Sequence, residues 1–253
     1  MFRAEELYQM LLAAYGKPRW WSDDPFTVMF QAVLVQNTTW SCVEKTSEAM
    51  GDRLHPEYIE NLPVEELEEQ IRPCGFCKAK ARTIQALTAW FHRYDFDREK
   101  VRELAVTKLR SELLAIRGIG AETADVILVY AFYQASFIID AYTRRLLTRL
   151  GYAFSHDAAI RQFFETDLPR DARLYGWYHW LILEHGIAVC QKRPKCERCP
   201  LQAVCRQSDE REDAAHALRI HSGRMYAEGD VTKSELLPVK RTEKKYKIFP
   251  ASS

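Results

Sequence analysis

Apolar residues recur every three or four positions through Leu7, Met10, Leu11 and Ala14, through Phe26, Met29, Phe30, Val33 and Leu34, through Ile84, Leu87, Ala89 and Trp90, and through Leu174, Tyr178, Leu181 and Ile182. That spacing places each set on one face of a helix. Strict alternation of period two, the mark of a half-buried strand, is absent. The chain therefore reads as all-helical. About ten helices fit between the breakers, which are Gly16-Lys17-Pro18, Gly51, Pro56, Pro63, Pro73-Cys74-Gly75, Gly118-Ile119-Gly120, Gly151, Pro169 and Gly186. No internal repeat is visible.

With 253 residues and 47% hydrophobic content, the chain can bury one large core or two small ones. The longest nearly apolar stretch, Val126 to Ile139, is broken by Gln134 and Ser136 and falls short of a bilayer span, so no membrane partner is expected. The N-terminus MFRAEELYQM is charged and amphipathic, and the seven cysteines are odd in number. Both features point to a reducing, cytoplasmic compartment, at the nucleoid if the source is prokaryotic. Net charge is only +1, so any case for nucleic acid has to come from motifs. After Cys205 the composition becomes charged, and Lys240, Arg241, Lys244, Lys245 and Lys247 stand against Glu243 alone. Residues 206–253 read as an extension, either a solvated tail or a DNA-contacting arm.

Four cysteines, Cys190, Cys196, Cys199 and Cys205, lie within sixteen residues directly after an apolar helix. Thiols at this density imply a metal site; unequal gaps suit an iron-sulfur cubane held by one winding loop, whereas structural zinc more often uses two separated Cys-x2-Cys knuckles. A disulfide pair is the weaker alternative. Between the first two cysteines, Lys192, Arg193 and Lys195 carry three positive charges, fit either to meet a phosphate backbone or simply to be solvated. Cys74-x2-Cys77 has no second pair of comparable spacing and is read as structural, with Gly75 ending a helix.

Two helices meet at Gly118-Ile119-Gly120, because periodicity through Leu113, Leu114 and Ile116 resumes at Thr123, Val126, Ile127 and Tyr130. Glycines in so tight a turn allow another backbone to come close, and the amides that open the next helix form an anion site that a DNA phosphate would fit. Asp140 precedes the helix that begins with Ala141-Tyr142-Thr143. Taken in isolation it is an N-cap.

In combination these motifs make residues 1–205 resemble the endonuclease III-like helix-hairpin-helix DNA glycosylases. The resemblance rests on Gly118-Ile119-Gly120-x-x-Thr123-Ala124, Asp140 twenty residues beyond Gly120, Gly75-x4-Lys80-Ala81, and the terminal cysteines, all in the family's order. It implies two helical domains with a DNA-binding cleft between them: a six-helix domain over 24–136 with the hairpin near 109–125, and a discontinuous iron-sulfur domain of 1–23 and 137–205. It further implies a 4Fe-4S cluster on the four cysteines, hairpin contacts to DNA through Gly118, Ile119, Gly120 and Thr123, and Asp140 as the catalytic carboxylate. The partner would be double-stranded DNA containing a damaged base, met by a monomer.

Two departures from the pattern stand out. The first cysteine gap is five residues where the endonuclease III-type pattern has six. Bifunctional members carry a lysine that attacks the sugar where this chain has Glu122; a carboxylate cannot form a Schiff base, so water should be the nucleophile and no strand cleavage should follow. Without the resemblance, Glu122 is a favourable carboxylate in the first turn of a helix. Trp20-Trp21 and Gln36-Asn37-Thr38-Thr39-Trp40 further resemble the endonuclease III-related 3-methyladenine glycosylases. By that resemblance Trp20, Trp21, Trp40 and Glu122 line the base pocket and Gln36 fills the gap left in the duplex. Read blandly, the tryptophans are core, as Trp90, Trp177 and Trp180 are taken to be.

The chemistry suits these residues. A base must leave the stack to be cut out, which calls for stacking faces. A methylated purine is cationic, and cation-π contact with indole favours it by about 0.5–2 kcal/mol. As the base departs, a carboxylate stabilises the charge on the sugar. Expected products are alkylated purines such as 3-methyladenine and 7-methylguanine. The alternatives are a glycosylase for hypoxanthine or mispaired uracil and a non-catalytic damaged-DNA-binding module.

Overall fold

The structure, a computed structural model, describes residues 2–206. Residues 207–253, most of the expected charged extension, lie outside the described residues. Twelve α-helices and no strand form among the described residues: α1 (Ala4–Tyr15), α2 (Pro25–Leu34), α3 (Trp40–Met50), α4 (Pro56–Asn61), α5 (Val64–Ile71), α6 (Cys77–His92), α7 (Arg98–Arg102), α8 (Val106–Leu114), α9 (Ala121–Val126), α10 (Ala141–Arg149), α11 (Asp157–Asp167) and α12 (Ala172–Ala188). Aspartates start several of them. Asp24, Asp97 and Asp171 accept from the backbone N–H of Thr27, Glu99 and Leu174 at 2.6, 2.8 and 2.7 Å, satisfying amides that have no intrahelical partner.

The periodic stripes become the buried faces, with two exchanges. In α6 Ala89 is exposed, and Thr88 takes the buried position with its hydroxyl donating to the Ile84 carbonyl at 2.8 Å. In α8 Leu113 is buried while Leu114 stays 39% exposed. After the hairpin, α9 widens into a π-helical turn over Ile127–Ala131 rather than running on as a regular helix. The chain then leaves through Tyr133 in the left-handed region, with φ of 52°.

Buried side chains fall into two clusters, the cores of two helical domains. One joins Phe26 to Leu34 of α2 with Leu67, Ile84, Trp90, Leu109, Leu113 and the π turn. The other joins Leu7 and Leu11 of α1 to Leu146, Phe164, Tyr175, Tyr178 and Ile182 of α10 to α12. The extended segment before Asp140 serves both. Phe137 and Ile139 enter the second cluster and Ile138 the first, as a period of two requires. Asp140 is thereby delivered to the junction. No helix among the described residues is long and apolar enough to cross a membrane.

Candidate active site

The first turns of α6 brace three loops. Lys80, buried, donates through Nζ to the carbonyls of Leu34 at 2.7 Å and Cys74 at 2.9 Å. Burial lowers its pKa, against the opposing influence of Cys74. One turn on, the Thr83 hydroxyl lies 3.0 Å from the carbonyls of Ala79 and Arg117. Gln36 closes the set, its amide donating to Gly118 O at 3.1 Å and Thr123 Oγ1 at 2.9 Å. The Gln-Asn-Thr loop, the Cys74-Gly75-Phe76 turn and the hairpin therefore share one support.

Within the hairpin Gly118 is obligatory. Its φ is +95°, and a Cβ there would stand 2.1 Å from Thr83 Oγ1. Around Gly120 the space is open, so a foreign backbone can approach. The Ile119 side chain is buried and Thr123 is engaged by Gln36, leaving the exposed backbone at Gly118 and Gly120 as the hairpin's outward surface.

Asp140 caps α10. Its Oδ1 accepts from the backbone N–H of Thr143 at 2.7 Å and from the Thr143 hydroxyl at 2.8 Å. Its Oδ2 lies 3.7 Å from Nε2 of His179 on α12. The side chain is nearly out of solvent, and burial alone would raise its pKa; His179 and the Thr143 donors outweigh burial and hold it below the usual carboxylate range. Glu122, in the first turn of α9, is shifted the other way, first by burial and then by the negative charge of Asp140. Two carboxyl groups thus face one site with pKa values displaced in opposite directions.

Aromatic rings pack behind them. Trp21 meets Trp40 and Tyr130 edge-on at 5.2 and 5.3 Å, and Trp20 lies 4.9 Å from Tyr130. The three expected tryptophans do come together around Tyr130, in unequal positions. Trp21 is a core residue, 5% exposed, whose indole N–H donates to Gln31 at 2.7 Å. Trp20 has one face stacked on Tyr133 at 5.3 Å and packs against Gly176. Trp20 and Trp40 are half-buried. Trp90 is core, donating to Glu112, and Trp177 carries Lys17 over its ring at 5.1 Å.

All four cysteines of the expected metal set line one pocket with His185, Arg149 and Leu201. The Arg149 guanidinium lies 3.1 Å from Cys190 Sγ and donates to the Gln191 and Lys192 carbonyls, fixing the loop that carries Lys192, Arg193 and Lys195. Those three side chains are exposed. Among the described residues no three His, Cys, Asp or Glu side chains gather tightly enough to ligate a single ion. Burial, and then the charge of Cys190, Cys205 and Cys196, pushes the Cys199 thiol up to about 11. A thiolate at Cys199 would thus need a positive centre beside it.

Sequence reasoning missed four residues. His179 and Tyr130 reach Asp140 only through the fold, and His179 carries no local motif. Phe76 is 71% exposed and sits at φ 49° before α6; an aromatic residue inside the Gly75 motif was the available signal. Asp125 was also unforeseen. It is 2% exposed and bridges Arg110 (2.8 Å) and Arg161 (2.6 Å) while accepting from Ser136 at 2.8 Å. Arg161 also donates to Phe137 O at 2.7 Å, so α9, α11 and the crossover to Asp140 are locked together.

A two-domain helical protein, with a glycine hairpin on one side and a capped, buried aspartate at the junction, is the architecture of a base-excision glycosylase. Residues 30–167 match the HhH-GPD superfamily of base excision DNA repair proteins, and the chain belongs to that family. It is 38% identical over 208 residues to a protein of Methanocaldococcus jannaschii provisionally named a DNA repair glycosylase, covering 79% of this chain and 94% of the relative. It is 30% identical to endonuclease III of Sulfolobus acidocaldarius, covering 72% and 81%. Among solved structures, a non-covalent endonuclease III–DNA complex superposes with a TM-score of 0.70 at 23% identity, covering 84% of this chain and all of the other. The H. pylori 3-methyladenine DNA glycosylase bound to 1,N6-ethenoadenine superposes at 0.63 with 26% identity, covering 72% and 96%.

Proposed function

We propose that this DNA glycosylase is monofunctional and releases alkylated purines, 3-methyladenine and 7-methylguanine, from double-stranded DNA by water attack at C1′. The carrying observation is the carboxylate pair: Asp140, its pKa held down and its Oδ2 free of the cap, and Glu122 at the position where the bifunctional enzymes this sequence resembles carry the attacking lysine. The glycosidic bond breaks with its electrons leaving on the base, which neutralises the alkylated purine's positive charge. C1′ becomes cationic and is stabilised by Asp140. Water adds at C1′, and its proton passes to Asp140 or solvent. Glu122 and the half-buried rings of Trp20 and Trp40 favour a cationic base over a neutral one. The similarity to the H. pylori enzyme supports the purine assignment.

DNA would be gripped by the hairpin backbone and by Lys192, Arg193 and Lys195. Gln36 would enter the duplex gap by releasing Gly118 and Thr123, with exposed Phe76 as a second, apolar wedge. The cysteine pocket brings four thiols to one cavity, the donor set that a 4Fe-4S cluster takes; bound there, a cluster would supply positive charge and fix the basic loop. Mass spectrometry of bases released from dimethyl-sulfate-treated duplex DNA, beside duplexes containing hypoxanthine or uracil, tests the reading. Release of methylated purines with the strand left intact is expected. Release of a neutral base alone, or strand nicking, overturns it.

A further inference from the structure

The two oxygens of Asp140 live in different surroundings. Oδ1 is saturated by Thr143. Oδ2 faces Nε2 of His179 at 3.7 Å, with both side chains under a tenth exposed. That separation is too long for a hydrogen bond but close enough for a protonated ring to attract the carboxylate in a site with little water.

The imidazole is anchored from behind. Nδ1 lies 3.1 Å from the Tyr130 hydroxyl, which donates to the Gly176 carbonyl at 2.7 Å. A phenol has one hydrogen, and the shorter contact takes it, so Nδ1–H is the donor to Tyr130. The other ring nitrogen, Nε2, is thereby the one turned to the carboxylate. Tyr130 is wholly buried, and its ring also carries the edge contact with Trp21. The aromatic cluster, the histidine and the carboxylate thus form one connected chain.

We propose that His179, anchored by Tyr130, is a positioning residue that keeps Oδ2 of Asp140 ionised and aimed at the reacting sugar. This rests on the reading of Asp140 given under Proposed function. The charged groups facing the carboxylate come from four elements: Glu122 of α9, Tyr130 of the π turn, Arg144 of α10 and His179 of α12, with Asp157 of α11 paired to Arg144. Arg144 is engaged by Asp157 at the surface, and Glu122 and Asp140 repel each other. His179 is therefore the principal counterweight to burial, and its loss shifts Asp140 toward the protonated form.

The test uses the whole protein as His179→Leu, His179→Gln and Tyr130→Phe. Carboxyl carbon-13 NMR, with the Asp140 signal assigned by its loss in Asp140→Asn, reads the charge state without any substrate. The Asp140 midpoint is expected to move to higher pH in His179→Leu, and in the same direction but less in Tyr130→Phe, a milder change that preserves the ring. Single-turnover release from dimethyl-sulfate-treated duplex DNA should fall about tenfold in His179→Leu, with its acid limb moved to higher pH and DNA affinity held within about twofold. His179→Gln, which restores a donor near Nε2, should recover part of the rate. An unmoved Asp140 midpoint in both His179→Leu and Tyr130→Phe overturns the proposal. Asp140→Asn turning over like its parent would instead overturn the functional reading and leave the NMR result to decide this one.

Discussion

Replacing Asp140 by Asn separates the two tasks of this side chain. Asparagine retains an oxygen where Oδ1 accepts from the Thr143 amide at 2.7 Å and its hydroxyl at 2.8 Å. Asn and Asp are equivalent caps, so the cap's share of the unfolding free energy should change by less than about 1 kcal/mol, and any further loss at neutral pH reads the attraction between Oδ2 and His179. What disappears is the negative charge at Oδ2. Removing one preorganised electrostatic partner of a developing charge costs about 2.7–4 kcal/mol, a rate loss of roughly 10²–10³. Asp140→Ala should lose as much rate and also about 1 kcal/mol of stability, because the cap goes with it. Single-turnover release of methylated purine, measured beside thermal melting of the three proteins, reads both quantities. Should Asp140→Asn stay within about threefold of its parent, the carboxylate is no more than a cap and the mechanism fails.

Gly118→Ala should destabilise the hairpin by at least about 1 kcal/mol, since its Cβ would strike Thr83 Oγ1 at 2.1 Å from a backbone at φ +95°. A melting curve and DNA affinity should fall together, whereas Gly120→Ala, with open space around it, should affect DNA binding more than melting. Asp125→Ala strands two arginines that water can still reach, with side chains 30% and 23% exposed. The expected loss, near the lower end of the range for broken buried pairs, is about 3 kcal/mol by denaturant unfolding; a loss below about 0.5 kcal/mol would show that the brace is not structural. Glu122→Gln should reduce release of 7-methylguanine more than release of hypoxanthine, and equal effects on both would remove Glu122 from base selection. The purified protein should absorb in the visible and contain iron and sulfide, and Cys199→Ser should lose both; a colourless zinc protein would refute the cluster.

The spacing of apolar residues was enough to predict the all-helical class, because a helix writes its buried face into positions three and four apart. The hairpin glycines, the cap at Asp140 and the four cysteines were legible for the same reason, each being a short-range requirement of turn, cap or ligand chemistry. The exchange at Thr88 and Ala89 and the π turn at Ile127–Ala131 escaped because they answer to what packs on the helix from elsewhere. So did the inner parts of the site. His179 stands thirty-nine residues from Asp140, Lys80 reaches forty-six residues back to Leu34, and Asp125 gathers arginines on either side of it in the chain. The sequence determined which segments would be helical and which carboxylate would stand at the head of α10. Whether that carboxylate meets an imidazole, and which way the pKa of Glu122 moves, was decided by tertiary packing, since burial and charge at a point depend on every chain segment that folds around it.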